Sequence, residues 1–182
     1  MTATRSPYDN QVENRNFLSP QGFKLTLNRA PKVAFLGNSA NIPSMQLGIA
    51  EQPTYLKNIP QPGDKITFED FTFRFLVDEN LENYKEIFNW IRGLGYPETL
   101  DEIIQLQKEE VNDFNQPIKS LLNIVSDGTL QVLGSSYNTV MKVKFKDLFP
   151  YSLSALDFDA TSEDYQYFTA EVSFKYTIYD ID

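Results

Sequence analysis

The chain has 182 residues, a formal net charge of −9, 41% hydrophobic residues, no cysteine and no histidine. Without cysteine there are no disulfides or thiolate metal sites. Without histidine the commonest general base and metal ligand are gone, along with every Ser/His or Cys/His catalytic arrangement. The length suits one domain with room for an insertion, and 14 Phe with 10 Tyr suit β-structure. The charge is uneven: residues 98–113 carry six acids against one base, and residues 157–182 carry seven against one. No basic patch offers a grip on phosphates, so the acidic stretches read as a solvated surface. No apolar run follows Met1 as a secretory signal would, and no stretch approaches the roughly 20 apolar residues of a membrane span, so no membrane partner is expected.

Residues 1–19 are polar and aperiodic and read as a flexible N-terminal arm. Phe23, Leu25 and Leu27 alternate with Lys24, Thr26 and Asn28, the pattern of a half-buried strand. Ala30-Pro31 breaks it, Val33–Leu36 reads as a second strand and Gly37-Asn38 as a turn. Residues 41–63 hold four prolines. They read as a short strand over Met45–Ile49 followed by an extended loop. The interspersed Ile49, Tyr55, Leu56 and Ile59 make that loop a candidate contact surface.

Pro62-Gly63-Asp64 predicts a turn, and Phe71, Phe73, Phe75 and Val77 share one face of a strong strand. Asp78-Glu79-Asn80 supplies a helix cap and first-turn acids. Leu81, Tyr84, Ile87, Phe88 and Ile91 then recur at helical spacing until Gly93, Gly95 and Pro97. Trp90 near the helix end reads as packed. Thr99-Leu100-Asp101-Glu102 fits a capping box before a short helix, and 97–118 as a whole reads as an insertion.

Leu121–Val125 and Thr129–Leu133 read as a hairpin about an Asp127-Gly128 turn, with a loop as the other reading of 121–125. Lys142, Lys144 and Lys146 alternate with Val143 and Phe145. Phe149-Pro150 then interrupts, Ser152–Phe158 reads as another strand, Asp159–Asp164 as an acidic turn, and Val172, Phe174, Tyr176 and Ile178 as the inner face of a last strand. The fold class is therefore mainly β (α+β): an antiparallel barrel or sandwich with one flanking helix, residues 20–182 forming a single domain.

Chemistry is sparse. Asp157, Asp159, Glu163 and Asp164 are the densest carboxylates, but a calcium loop would need a central glycine and fixed ligand spacing, and these lack both. Asp78, Glu79 and Glu82 are explained by their place at a helix start. Gly93-Leu94-Gly95 follows a helix, the wrong context for a dinucleotide site, and no phosphate loop or nucleophile elbow occurs. No catalytic, cofactor-binding or metal-binding residue is assigned, and the chain reads as a non-enzyme. Tyr151, Tyr165 and Tyr167 are what a carbohydrate-binding groove would have to use.

In order, Phe23–Asn28, Asn41-Ile42-Pro43, Pro62-Gly63-Asp64-Lys65, Phe68-Glu69-Asp70-Phe71-Thr72-Phe73, Val77-Asp78-Glu79-Asn80 before Tyr84 and Trp90, Phe145–Pro150, Leu153–Asp159 and Phe168–Tyr179 form a pattern. It resembles the tail-tube proteins of contractile-tailed, T4-like bacteriophages. The resemblance implies a barrel or sandwich with a flanking helix, hexameric rings in which neighbouring strands join, and stacked rings as a conduit for DNA that passes without specific binding. It implies as partners the chain itself and other tube, sheath or baseplate proteins, and a virion tail assembled in the host cytoplasm. The loop near 46–66 corresponds to the arm that touches adjacent subunits, which marks Gln52, Tyr55, Leu56, Lys57, Asn58 and Ile59 as interface residues. The long N-terminal arm and the 97–118 insertion leave a tube-initiating baseplate or tail-completion protein as the alternative, and a secreted injection-system tube protein as a further one. A carbohydrate-binding sandwich or a metal-dependent hydrolase is the reading from another class.

Overall fold

The computed structural model describes residues 17–95, 97–98, 101–108, 124–158 and 167–182. The 1–16 stretch of the N-terminal arm, most of the 97–118 insertion and the acidic turn from Asp159 to Asp164 lie outside them. Among the described residues nine strands and three helices follow one another as β1 (Phe23–Leu27), α1 (Pro31–Phe35), β2 (Gly37–Ala40), β3 (Met45–Pro53), β4 (Asn58–Phe68), β5 (Phe71–Leu76), α2 (Glu82–Gly95), α3 (Asp101–Lys108), β6 (Ser126–Leu133), β7 (Thr139–Leu153), β8 (Thr169–Lys175) and β9 (Ile178–Ile181).

Every strand pairing is antiparallel, and the main sheet runs β1-β6-β7-β8-β5-β2, with β9 also paired to β7. Its end strands β1 and β2 approach one another beside α1, so the sheet curls into an open barrel. Period-2 alternation aims Leu25, Leu27, Phe71, Phe73, Phe75, Leu130, Val143, Phe145, Val172 and Phe174 inward, all buried. Helix α2 adds Ile87 and Trp90 to the same core. Trp90 donates its indole N–H to the Ile124 carbonyl at 3.0 Å, which satisfies its one polar atom.

Strand β7 is the backbone of the barrel. Its first part pairs with β6 and β9 and its last part with β8. Phe149-Pro150 therefore does not separate two strands, and no strand runs on to Phe158. The change of direction comes at Asp147, whose φ is 55° and whose N–H reaches Asp127 Oδ1 at 3.3 Å. The extra residue there shifts the buried set from Val143 and Phe145 to Leu148 and Pro150. A second bulge between Pro150 and Ser152 leaves Tyr151 unpaired in the ladder. Pro150 is tolerated beside such a bulge because the ladder is already interrupted.

Three other expectations are corrected. Val33–Leu36 belongs to no strand: α1 occupies Pro31–Phe35, with Pro31 in the first turn, where its missing N–H costs nothing. The acid that meets the Lys32 and Val33 amides comes from Glu86 of α2. Asp127-Gly128 is no hairpin turn. It lies inside the single strand β6, facing the bulge that Asp147 makes in β7. The proline-rich stretch after Ile49 is no loop either, because β3 and β4 form a hairpin.

The expected main helix is present. Asp78 caps it from upstream, accepting the Glu82 and Asn83 amides, one on each carboxylate oxygen, at 3.1 Å. Desolvation works against ionisation of Asp78, but those amide bonds prevail and hold its carboxyl below the usual range. Glu82 itself pairs with Lys32 at 2.7 Å. These acids are accounted for by the helix start.

Candidate assembly surface

The β3–β4 hairpin stands apart from the barrel as a two-stranded sheet of its own. Every residue of β3 is exposed, and all of β4 except Gly63 and Phe68. The hairpin nonetheless extends the main sheet. Ala40 lies opposite Phe73 at the end of β2, Met45 opposite Phe68 at the start of β3, and the count between them is equal on both sides.

A polar and aromatic lock fixes the root. Asn41 donates to the Asp70 carbonyl at 3.1 Å and accepts the Thr72 amide at 2.7 Å. Tyr176 donates to the Glu69 carbonyl at 2.8 Å and Tyr179 to the Pro43 carbonyl at 3.1 Å. The Phe68 ring lies 6.0 Å from Tyr176 and 5.5 Å from Tyr179. Burial, helped by the neighbouring Tyr179, Asp70 and Glu69, pushes the Tyr176 hydroxyl up to about 12, so it remains a donor at any physiological pH. Beside it Asp70 accepts from Lys175 and from the hydroxyl of the bulged Tyr151. The bond from Lys175 foremost, then that from Tyr151, holds the Asp70 carboxyl below its usual range. Lys175 also sits 5.3 Å from the Tyr151 ring centre.

Beyond the root the hairpin is bent where Gly48 meets Gly63. A Cβ on Gly63 would come within 2.5 Å of the Gly48 carbonyl oxygen, so only glycine fits. The hairpin is amphipathic. Alternation and register put Met45, Leu47 and Ile49 on one face with Ile66, Pro62 and Pro60, joined toward the tip by Glu51 and Asn58, and Gln46, Ala50, Gln52, Gln61 and Thr67 on the other with Ile59. The apolar face is open to water: Met45 is 58% exposed, Leu47 51%, Ile49 73% and Ile66 52%.

The six residues expected at an interface, Gln52, Tyr55, Leu56, Lys57, Asn58 and Ile59, come together at the hairpin tip. Thr54 and Lys57 close the turn there by a backbone bond of 3.2 Å, and Asn58 reaches Glu51 at 2.8 Å. Sequence reasoning missed the larger apolar face behind the tip. Its signal was the alternation through Met45, Leu47 and Ile49, which stopped being followed at the prolines.

Among the described residues the other candidates do not assemble into a site. Among the described residues no three carboxylates converge as a metal site. Of the tyrosines a carbohydrate groove would need, Tyr151 is engaged by Asp70, Tyr167 is exposed and Tyr165 lies outside the described residues. The polar face of the barrel is laced with cross-strand ion pairs: Arg74–Glu171 at 2.8 Å, Lys146–Asp180 at 3.3 Å, and Lys144–Asp182. Three acids of the acidic C-terminal stretch are thereby matched by bases. No described helix is long and apolar enough to cross a membrane.

An antiparallel barrel that projects an amphipathic strand pair offers contact area and a strand edge, the equipment of a structural subunit. The chain belongs to the phage tail tube protein family, whose model matches residues 5–182. No curated protein matches it significantly. Among solved structures, a chain of the anti-feeding prophage baseplate superposes with a TM-score of 0.59 at 10% identity, covering 92% of this chain and 96% of that one. A chain of the tube-terminating cap of the same particle gives 0.57 at 13%, covering 98% and 99%. A chain of the sheath–tube complex of an extracellular contractile injection system, PVC, gives 0.55 at 16%, covering 98% and 99%. At these identities the likeness speaks for the fold, which is that of tube-type proteins.

Proposed function

We propose that this protein is the ring subunit of a phage tail tube: a virion structural protein, assembled in the host cytoplasm, whose hexameric rings stack into the conduit for DNA ejection. The observation that carries this reading is the β3–β4 arm, which holds its apolar face in water in the isolated subunit and so calls for a neighbour. Family membership supplies the neighbour, other copies of the chain, and six-fold symmetry is the symmetry stated for the similar baseplate. In this reading Gln52, Tyr55, Leu56, Lys57, Asn58 and Ile59 touch the adjacent subunit together with the apolar row behind them. Sheath and baseplate proteins are the further partners, and DNA passes through without specific contacts. Sedimentation and electron microscopy of the purified protein test the proposal, with six-fold rings or tubes expected. A strictly monomeric protein absent from purified particles would refute it.

A tube-end or baseplate station is the second reading. The similar chains of the baseplate and the cap superpose as well as the chain of the sheath–tube complex does, so the fold alone does not separate the stations. Copy number per particle does: many rings for a tube subunit, about one for an end component.

A further inference from the structure

The two long edges of the arm are not equivalent as partners for another strand. In an antiparallel ladder, residue pairs alternate between those that exchange backbone hydrogen bonds and those whose N–H and C=O point away from the partner strand. Pro53 pairs with Asn58, Pro60 with Glu51 and Pro62 with Ile49. A proline has no N–H to exchange, so all three pairs are of the second kind. The turn agrees: the Thr54 amide reaches the Lys57 carbonyl, which makes the neighbouring 53/58 pair the non-bonded one. The backbone groups of Ile49, Glu51 and Pro53 therefore face the free edge of β3, and those of Asn58, Pro60 and Pro62 the free edge of β4. On β3 two successive outward N–H donors survive, at Ile49 and Glu51. On the tip half of β4, from Asn58 to Pro62, only Asn58 keeps one, and the irregular Gly63–Lys65 stretch separates it from the next outward donor at Ile66.

We infer that the arm joins its neighbour through the edge of β3, with a strand of a second copy of this chain as the occupant, while the prolines close the edge of β4 to pairing. This rests on the tail-tube reading above. The arm spans residues 45–68, a length in the range of the roughly 20–30 residues that one side of a stable protein interface uses, and nearly all of it is exposed in the isolated subunit. The edge of β3 also continues in register into the outer edge of β2, the terminal strand of the main sheet. From Met45 to Gln52 the edge of β3 carries no proline, whereas Pro60, Pro62 and the Gly63–Lys65 irregularity interrupt the edge of β4.

The pattern gives a direct test. Ile49→Pro with Glu51→Pro removes both outward donors and leaves the hairpin's own backbone bonds intact, because both residues already sit in non-bonded pairs; the side-chain bond from Asn58 to Glu51 is lost here as it is in the Glu51→Ala control. Asn58→Pro does the same on the other edge, and Glu51→Ala keeps the N–H while losing the side chain. The double proline variant is expected to melt within a few degrees of the unmodified protein yet lose ring or tube assembly at least tenfold. Asn58 is itself one of the proposed interface residues, so Asn58→Pro is expected to weaken assembly, but far less than the double variant, and Glu51→Ala is expected to assemble. Normal assembly of the double variant, or loss confined to Asn58→Pro, overturns the inference. Should the double variant unfold, hydrogen exchange on the unmodified protein decides: assembly should slow exchange at the Ile49 and Glu51 amides, and unchanged exchange there in assembled particles refutes it. An unmodified protein that never assembles instead removes the tail-tube reading beneath it.

Discussion

Replacing Leu47 and Ile49 by serine separates the work of the arm from the work of the barrel. Ile49 is 73% exposed and Leu47 51%, so neither contributes much burial within the subunit. Fully burying such a side chain stabilises by about 1.5–3 kcal/mol. A neighbour that covers the exposed share would gain about 1–2 kcal/mol at Ile49 and about 1–1.5 kcal/mol at Leu47. Losing both weakens each subunit contact by about 2–4 kcal/mol, roughly 30- to 700-fold in its association constant. Stability of the single subunit should change by less than about 0.5 kcal/mol, the usual effect of a surface substitution. Sedimentation velocity across a concentration series reads the first quantity, and thermal unfolding of the dissociated protein reads the second. Unchanged assembly would refute burial of this face in the interface. A drop of many degrees in the subunit's melting temperature would show that the face already packs within the subunit.

Gly63→Ala should distort the arm, because its Cβ would enter the Gly48 backbone; assembly is expected to fall while far-UV circular dichroism of the barrel stays unchanged, and normal rings would refute the close contact. Trp90→Phe leaves the Ile124 carbonyl without its donor and is expected to cost about 1–3 kcal/mol, measured by chemical unfolding followed by circular dichroism, since the variant loses the only tryptophan. Glu86 offers a pH test. Burial raises its carboxyl above the usual range, against the opposing pull of Lys32 and of the Lys32 and Val33 amides, and its Oε2 has no partner. A group raised on folding contributes its full stability below the unfolded value and loses it as pH rises through the folded one. Glu86→Gln removes that loss, so its stability relative to the unmodified protein should improve from about pH 4 to about pH 7, and a difference that stays flat over that range refutes the account.

Strands with clean period-2 alternation were legible: Phe23–Leu27 and Phe71–Leu76 bury the faces their patterns mark, as do Val172 and Phe174, but the last strand expected to run to Ile178 ends at Lys175 and Ile178 opens β9. The helix was legible too, through its spacing and its Asp78 cap. The failures have physical causes. Val33–Leu36 is a short apolar run that fits strand or helix equally, and Pro31 in the first turn, with Val33 buried, suits the helix. Asp127-Gly128 carries a turn signal, but the residue it accommodates is Asp147 across the ladder, a partner that local reading cannot see. Prolines in β4 argued against a strand, and that rule weakens where N–H groups point away from the partner. In the candidate site, the apolar character of Tyr55, Leu56 and Ile59 in a proline-rich stretch marked an exposed surface, whereas Gln52, Lys57 and Asn58 were marked only by the family resemblance. The root lock was not legible, because Asn41, Asp70, Tyr176 and Tyr179 meet only through the fold.

The root lock and the open face belong to one design problem. A two-stranded hairpin is marginal in water by itself, and this one turns its best apolar residues outward, so its own packing cannot hold it. Its direction must come from elsewhere. Asn41 bridges both sides of the junction, Tyr176 and Tyr179 grip one carbonyl on each strand, and Phe68 packs between their rings. These contacts order the base of the arm before any neighbour arrives, which lowers the entropy that association must overcome. The tip lacks such support within the subunit: Tyr55 is fully exposed and Leu56 nearly so. Ordering should therefore run from root to tip as subunits meet. If so, cutting the lock with Asn41→Ala should slow assembly more than its modest cost to subunit stability explains, whereas a change at Leu56 should act on dissociation. Equal effects of both on association and dissociation would argue that the arm is rigid throughout.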